Sequence, residues 1–184
     1  MTTLTGLAID VETGGLDPDT CALLRVGVVE VHHGRVVDEH DWRVMPAPGL
    51  DMDPEALRIN RWAPYPYAMF ERDVIHLLSL LAKRLPDDTP HATIGHNVAW
   101  DIAVLRALTR RNRCPTITLP HRFADSAVLA LPLQLSGEIQ SRRLDDLVPA
   151  VLGRPRSPEA HMSPLVDAHD SLDVVMALCE RYIR

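Results

Sequence analysis

At 184 residues and 46% hydrophobic content, the chain is long enough for a continuous core and too apolar for a disordered segment. Its 25 acidic and 19 basic side chains leave a net charge of −6, which argues against coating nucleic acid through bulk positive charge but leaves local binding open. No run approaches the roughly 20 apolar residues of a membrane span, the start Met-Thr-Thr-Leu-Thr lacks the features of a secretory signal, and Cys21, Cys114 and Cys179 are too scattered for a disulfide frame or a zinc cluster. These features predict a cytoplasmic protein with no membrane association and one domain over residues 1–184.

The first predicted element is a buried strand from Leu4 to Asp10, with Leu4, Leu7, Ala8 and Ile9 as its apolar run. It ends in Ile9-Asp10-Val11-Glu12, followed by Thr13-Gly14-Gly15-Leu16. Alternate side chains of an extended chain share a face, so Asp10 and Glu12 fall together while Val11 turns away. Carboxylates that close repel and raise each other's pKa, and a divalent cation held by oxygen ligands relieves this; two solvated acids at an exposed strand end are the alternative.

Leu23 to Val31, a His33-Gly34 turn and Arg35 to Val44 complete a three-strand meander. Pro46, Pro48 and Pro54 break the chain into a loop ending in Pro54-Glu55-Ala56-Leu57-Arg58-Ile59-Asn60, and Pro64 and Pro66 mark a second loop. A helix follows near Tyr67 to Arg84, with Val74, Leu77, Leu78 and Leu81 at helical spacing. Ala92 to Gly95 reads as a short buried strand. Val98 to Arg111 reads as a helix with Val98, Ile102, Leu105 and Leu108 on one stripe, and Asp101 falls inside that stripe. An unpaired buried carboxylate is costly, so Asp101 requires a partner: a metal beside a helix N-terminus, a buried ion pair or a capping role.

Beyond a strand near Ile117 to Leu119, the pattern predicts helices over Asp125 to Leu131, Ser141 to Leu152 and Ala168 to Ile183. The last opens Asp167-Ala168-His169-Asp170-Ser171-Leu172-Asp173, which puts His169 and Asp173 one turn apart on one side. Basic residues gather at Arg106, Arg110, Arg111 and Arg113 and again at Arg142, Arg143, Arg154 and Arg156, as solvated helix faces or as tracks for a phosphate backbone.

Taken in order, Asp10-x-Glu12 with Thr-Gly-Gly-Leu after it, Gly95-His96-Asn97 leading to Asp101, and the late His169 followed by Asp173 resemble the DEDDh group of DnaQ-like 3′ to 5′ exonucleases. The segment Pro54 to Asn60, Asp125-Ser126 and Leu144-Asp145-Asp146-Leu147 are similar to that family's connecting stretches, so the resemblance spans nearly the whole chain. It implies an α/β, ribonuclease H-like fold: a mixed five-stranded sheet flanked by helices. It also implies that Asp10, Glu12, Asp101 and Asp173 hold two Mg²⁺ or Mn²⁺ ions, and that His169 takes a proton from the attacking water. The same resemblance puts Thr13, Leu16 and Asn97 against the terminal nucleotide, with a core role for Leu16 and turn or capping roles for Thr13 and Asn97 as alternatives. The expected substrates are 3′ ends of single-stranded RNA or DNA, with a slight preference for RNA or short strands and nucleoside 5′-monophosphates as products. A homodimer and a polymerase partner are both compatible with the family.

Two departures stand out. The last acid of the histidine group follows the histidine by five residues, whereas Asp173 follows His169 by four; Asp170 and Asp167 are the substitutes at hand. Arg25 stands where a glutamate or glutamine is common. The shifted spacing motivates a second expectation, a catalytically degenerate nucleic-acid- or partner-binding module on the same fold.

Overall fold

The computed structural model describes residues 4–158, 160 and 162–183. Strand β1 (Thr5–Thr13) pairs antiparallel with β2 (Leu23–His32), which pairs antiparallel with β3 (Arg35–Arg43). On its other side β1 runs parallel to β4 (His91–Gly95), and β4 parallel to β5 (Arg122–Asp125), giving the order β3-β2-β1-β4-β5. The predicted mixed five-stranded sheet is thus formed.

Helices cover both faces, which is why β1 and β2 are buried along most of their length rather than at alternate positions. Leu7, Ile9 and Val11, with Val26 and Val28, face helices α2 (Glu71–Arg84) and α3 (Ala99–Arg111). Ala8, Val29 and Val31 face α7 (Pro164–Ile183) through Ala168, Leu172 and Val175. The short helices α4 (Ser126–Leu129) and α5 (Leu131–Leu135), with α6 (Leu144–Leu152), pack against the far side of α7 around Leu133, Leu147, Val174 and Leu178. Among the described residues no helix is long and apolar enough to cross a membrane.

Several element bounds differ from the sequence-based expectation, each for a local reason. The strand expected at Ile117 to Leu119 forms instead at Arg122–Asp125, because Pro115 and Pro120 bracket the earlier stretch and proline cannot donate to a ladder. Ile117 is still buried, but from irregular chain. The helix expected from Tyr67 starts at Glu71, after Met69 has bridged to Val44. Pro54–Ile59 closes into helix α1, capped by the Asp53 side chain, which accepts from the Glu55 and Ala56 N–H groups. Most consequential, α7 starts at Pro164 and not Ala168. Proline is tolerated in the first helical turn, where its missing N–H has no partner to lose.

The start of α7 lies almost on the backbone of β2. A Cβ built on Gly27 would meet the Pro164 carbonyl carbon at 2.2 Å and the Leu165 nitrogen at 2.3 Å. Only glycine permits this approach. Gly27 is the cross-strand partner of Asp10, so the contact brings the first turn of α7 over the acidic end of β1.

Candidate active site

Asp10 and Glu12 share the α7 face of β1 with Ala8, as the two-residue strand period requires. The first turn of α7 adds Asp167, and one ligand oxygen from each of Asp10, Glu12 and Asp167 lies within 4.8 Å of the others. Asp101, near the start of α3, is 3% exposed and accepts a 2.9 Å hydrogen bond from the Val11 N–H through Oδ1. That bond ties the α3 acid to the strand that carries the other two.

Burial dominates the electrostatics. Desolvation raises Asp10 well above the ordinary carboxylate range, and the charges of Asp101, Asp167 and Glu12 raise it further. Glu12 is pushed up to about 7 by burial and then by Asp167, against the lowering effect of Arg25 and Arg156. Asp101 is pushed up to about 8, again chiefly by burial, although the Val11 N–H bond pulls the other way. Acids held at such cost by their surroundings are what functional sites show, and hard oxygen donors crowded within a few ångströms fit a divalent cation.

The loop after β1 is tightly held. Asn60 Nδ2 donates to the Thr13 carbonyl at 3.0 Å, Gly14 N–H to the Ala22 carbonyl at 2.8 Å, and Asp53 N–H to the Gly14 carbonyl at 2.7 Å. Thr13 Oγ1 donates to the Gly15 carbonyl at 2.8 Å, a bond within the turn. Leu16 is 91% exposed, which overturns a core role and presents its side chain to solvent. Asn97 is exposed with φ 56, and its N–H and that of Val98 both bond the Asp125 carboxylate, which thereby holds the entrance to α3. Glu12 also borders a cavity of about 310 Å³ lined by Arg25, Arg43, Asn60, Trp62 and Tyr65, in which the Arg43 guanidinium sits 4.5 Å from the Tyr65 ring centre.

Two expected site residues are elsewhere. Asp173 is half-exposed and paired with Arg154 at 3.0 Å, away from Asp10 and Glu12, because it lies nearly two turns beyond the first turn of α7. His169 Nε2 is 3.2 Å from Glu39 Oε1 on the edge strand β3, two strands from β1. Asp167 stands in the position expected of Asp173. The sequence signal for it is Ser163-Pro164, a helix-starting pair that moves the first turn four residues earlier. The basic clusters are also partly committed within the chain: Arg111 is paired with Glu71, Arg110 with Asp19, and Arg154 and Arg156 with acids of α7.

No family model matches the chain. Ribonuclease T of Baumannia cicadellinicola subsp. Homalodisca coagulata is 31% identical over a 196-residue alignment covering 97% of this chain and 84% of that protein. Ribonuclease T of Klebsiella pneumoniae subsp. pneumoniae is 29% identical over 126 residues, 58% of this chain and 57% of that protein. Among solved structures, exonuclease I superposes with a TM-score of 0.80 at 20% identity over 98% of this chain. E. coli exonuclease I in complex with a dT13 oligonucleotide labelled 5cy gives 0.78 at 17% identity over the full chain. This chain spans 42% of either exonuclease I chain, and at such identity the likeness concerns the fold.

Proposed function

Because the chain belongs to the ribonuclease T family, within the DnaQ-like DEDDh group of 3′ to 5′ exonucleases, we propose that it removes nucleotides from the 3′ ends of single-stranded RNA or DNA as one exonuclease domain, releasing nucleoside 5′-monophosphates. The observation that carries this reading is the convergence of Asp10, Glu12 and Asp167 within 4.8 Å, with Asp101 buried behind them. In this reading the four carboxylates hold two divalent cations, Mg²⁺ or Mn²⁺. Such a pair, when bound, offsets the charge that builds on the attacking and leaving oxygens of an in-line displacement.

The chain's own groups account for the rest. Leu16 lies against the terminal base, as an exposed apolar side chain four residues after Glu12 suits, and Asn97 borders the 3′ end from the α3 side. The cavity with Arg43, Trp62 and Tyr65 offers cationic and aromatic surface next to Glu12 for the adjoining sugar-phosphate and base. With Asp167 as the last acid, the histidine nearest the family spacing is His161, six residues upstream; it lies outside the described residues. His161 rather than His169 is therefore the assigned base for the attacking water. His161→Ala should lower kcat about 10²-fold or more and His169→Ala less than about threefold; the reverse order restores the His169 assignment.

The reading as a noncatalytic module rests on the four-residue His169 to Asp173 spacing; His161 and Asp167 are six apart, one residue off in the other direction, so turnover decides between the two readings. Digestion of 5′-labelled single-stranded RNA and DNA with Mg²⁺ or Mn²⁺, beside EDTA and Asp10→Ala controls, tests the proposal. A metal-dependent ladder shortening from the 3′ end, absent in both controls, is the expected result. No cleavage by folded protein with either metal returns the chain to the binding-module reading.

A further inference from the structure

Two arginines flank Pro155 in the loop between α6 and α7, which Gly153 launches by capping α6 at φ 67. Arg156 is 7% exposed at its side chain and, among the described residues, reaches three carboxylates on two helices. Nη1 is 2.6 Å from Asp145 Oδ1, Nε is 3.1 Å from Asp170 Oδ2, and Nη2 is 2.6 Å from Asp167 Oδ1. Arg154 serves the outer end of the same α7 face, 2.8 Å from Asp170 and 3.0 Å from Asp173, and is 42% exposed.

A buried ion network is weak evidence for stability, since an apolar replacement often does as well. What a guanidinium does supply is a planar fork that holds carboxylates at fixed angles. Here one fork fixes a site acid, a second α7 acid one turn on, and the start of α6 together. Metal-ligating carboxylates characteristically depend on such an outer partner for orientation.

We propose that Arg156 is a positioning residue for the cation site: its guanidinium holds the Asp167 carboxylate against Asp10 and Glu12. The assignment rests on the exonuclease reading and adds to it a residue outside the four acids. It differs in sign from a simple counter-charge role, because a positive group that merely offsets the acids weakens cation binding and its removal would tighten it.

The test is Mn²⁺ titration of the full chain by calorimetry, beside kcat and KM on a labelled oligonucleotide. Arg156→Gln should weaken Mn²⁺ binding about 10- to 100-fold and lower kcat at fixed Mn²⁺, with part of kcat regained at high Mn²⁺ and KM for the oligonucleotide within about threefold. Arg156→Lys keeps the charge without the fork and should still lose at least about threefold in affinity. Arg154→Gln, on the same face but not on Asp167, should change Mn²⁺ affinity less than about threefold. In an Asp167→Asn background, Arg156→Gln should add less than about threefold. Equal or tighter Mn²⁺ binding by Arg156→Gln overturns the assignment. If that variant fails to fold by circular dichroism, unchanged affinity in Arg156→Lys overturns it instead. A parent chain that neither binds Mn²⁺ nor cleaves overturns the exonuclease reading and this assignment together, whereas a parent that does both beside unaffected Arg156 variants overturns this assignment alone.

Discussion

Among the described residues two clusters of metal-ligand side chains form at this sheet, and they differ in how their charge is met. Asp10, Glu12 and Asp167 meet at the end of β1, while Glu30, Asp38 and His40 meet on the β2–β3 ribbon, each group with ligand atoms within 4.8 Å. In the second, Arg84 Nη2 is 2.5 Å from Glu30 and 3.0 Å from Asp38, and His32 Nε2 is 2.8 Å from Glu30. The Arg84 hydrogen bond accordingly lowers the Asp38 pKa. In the first, Arg25 and Arg156 offset only part of the burial cost, and Glu12 and Asp101 remain pushed up to about 7 and about 8. Proximity of ligands is common to both; among the described residues, the carboxylates pushed far up by burial are those of the β1 site, and a bound cation would relieve that cost.

The largest expected contrast is in turnover. Asp10→Asn or Asp167→Asn should each lower kcat about 10³-fold or more in the labelled-oligonucleotide assay, whereas Asp38→Asn and Asp173→Asn should each change it less than about threefold. A loss in Asp173→Asn matching that in Asp167→Asn would reinstate the sequence-based assignment. Next comes Gly27→Ala, whose methyl has no room against Pro164 and Leu165. It should cost about 1–3 kcal/mol in denaturant unfolding and lower kcat as Asp167 is displaced, and an unchanged midpoint would refute the close approach.

A pH series with chelator separates the clusters by sign. Folded-state values of about 7 for Glu12 and about 8 for Asp101 exceed the unfolded carboxylate range, so their stability contribution is full below about pH 4 and is lost as pH rises through those values. Metal-free protein should therefore melt at a lower temperature at pH 8 than at pH 5, with Mn²⁺ raising Tm more at pH 8. A Tm that stays level between those pH values, with and without Mn²⁺, would count against the raised carboxylates. The smallest effect on turnover is expected from Arg84→Met, which strips one partner from the buried Glu30 and leaves His32: about 1–3 kcal/mol of stability with kcat unchanged, and a fall in kcat would show that the second cluster communicates with the first.

Much of the β1 site is legible in the sequence. Asp10 and Glu12 follow from the strand period, and Asp101 is conspicuous as an acid inside an apolar helical stripe. Leu16 and Thr13 are ambiguous there, since a residue after a strand reads equally well as loop or core. Asp167 is legible only as a substitute for Asp173, because apolar periodicity starts the last helix at Ala168 and hides the turn that Pro164 opens. Arg156 has no local signature at all, since a basic residue in a loop is ordinarily solvated.

Element types and three of the four acids are encoded locally, because they depend on periodicities and turn residues within a few positions of one another; the mixed sheet is legible only through the family resemblance. Which α7 acid joins the other three, and which arginine holds it, is settled by tertiary packing. Both depend on how closely α7 settles on Gly27, a contact between segments well over a hundred residues apart, and no local pattern encodes the phase of one element against another so distant in the chain.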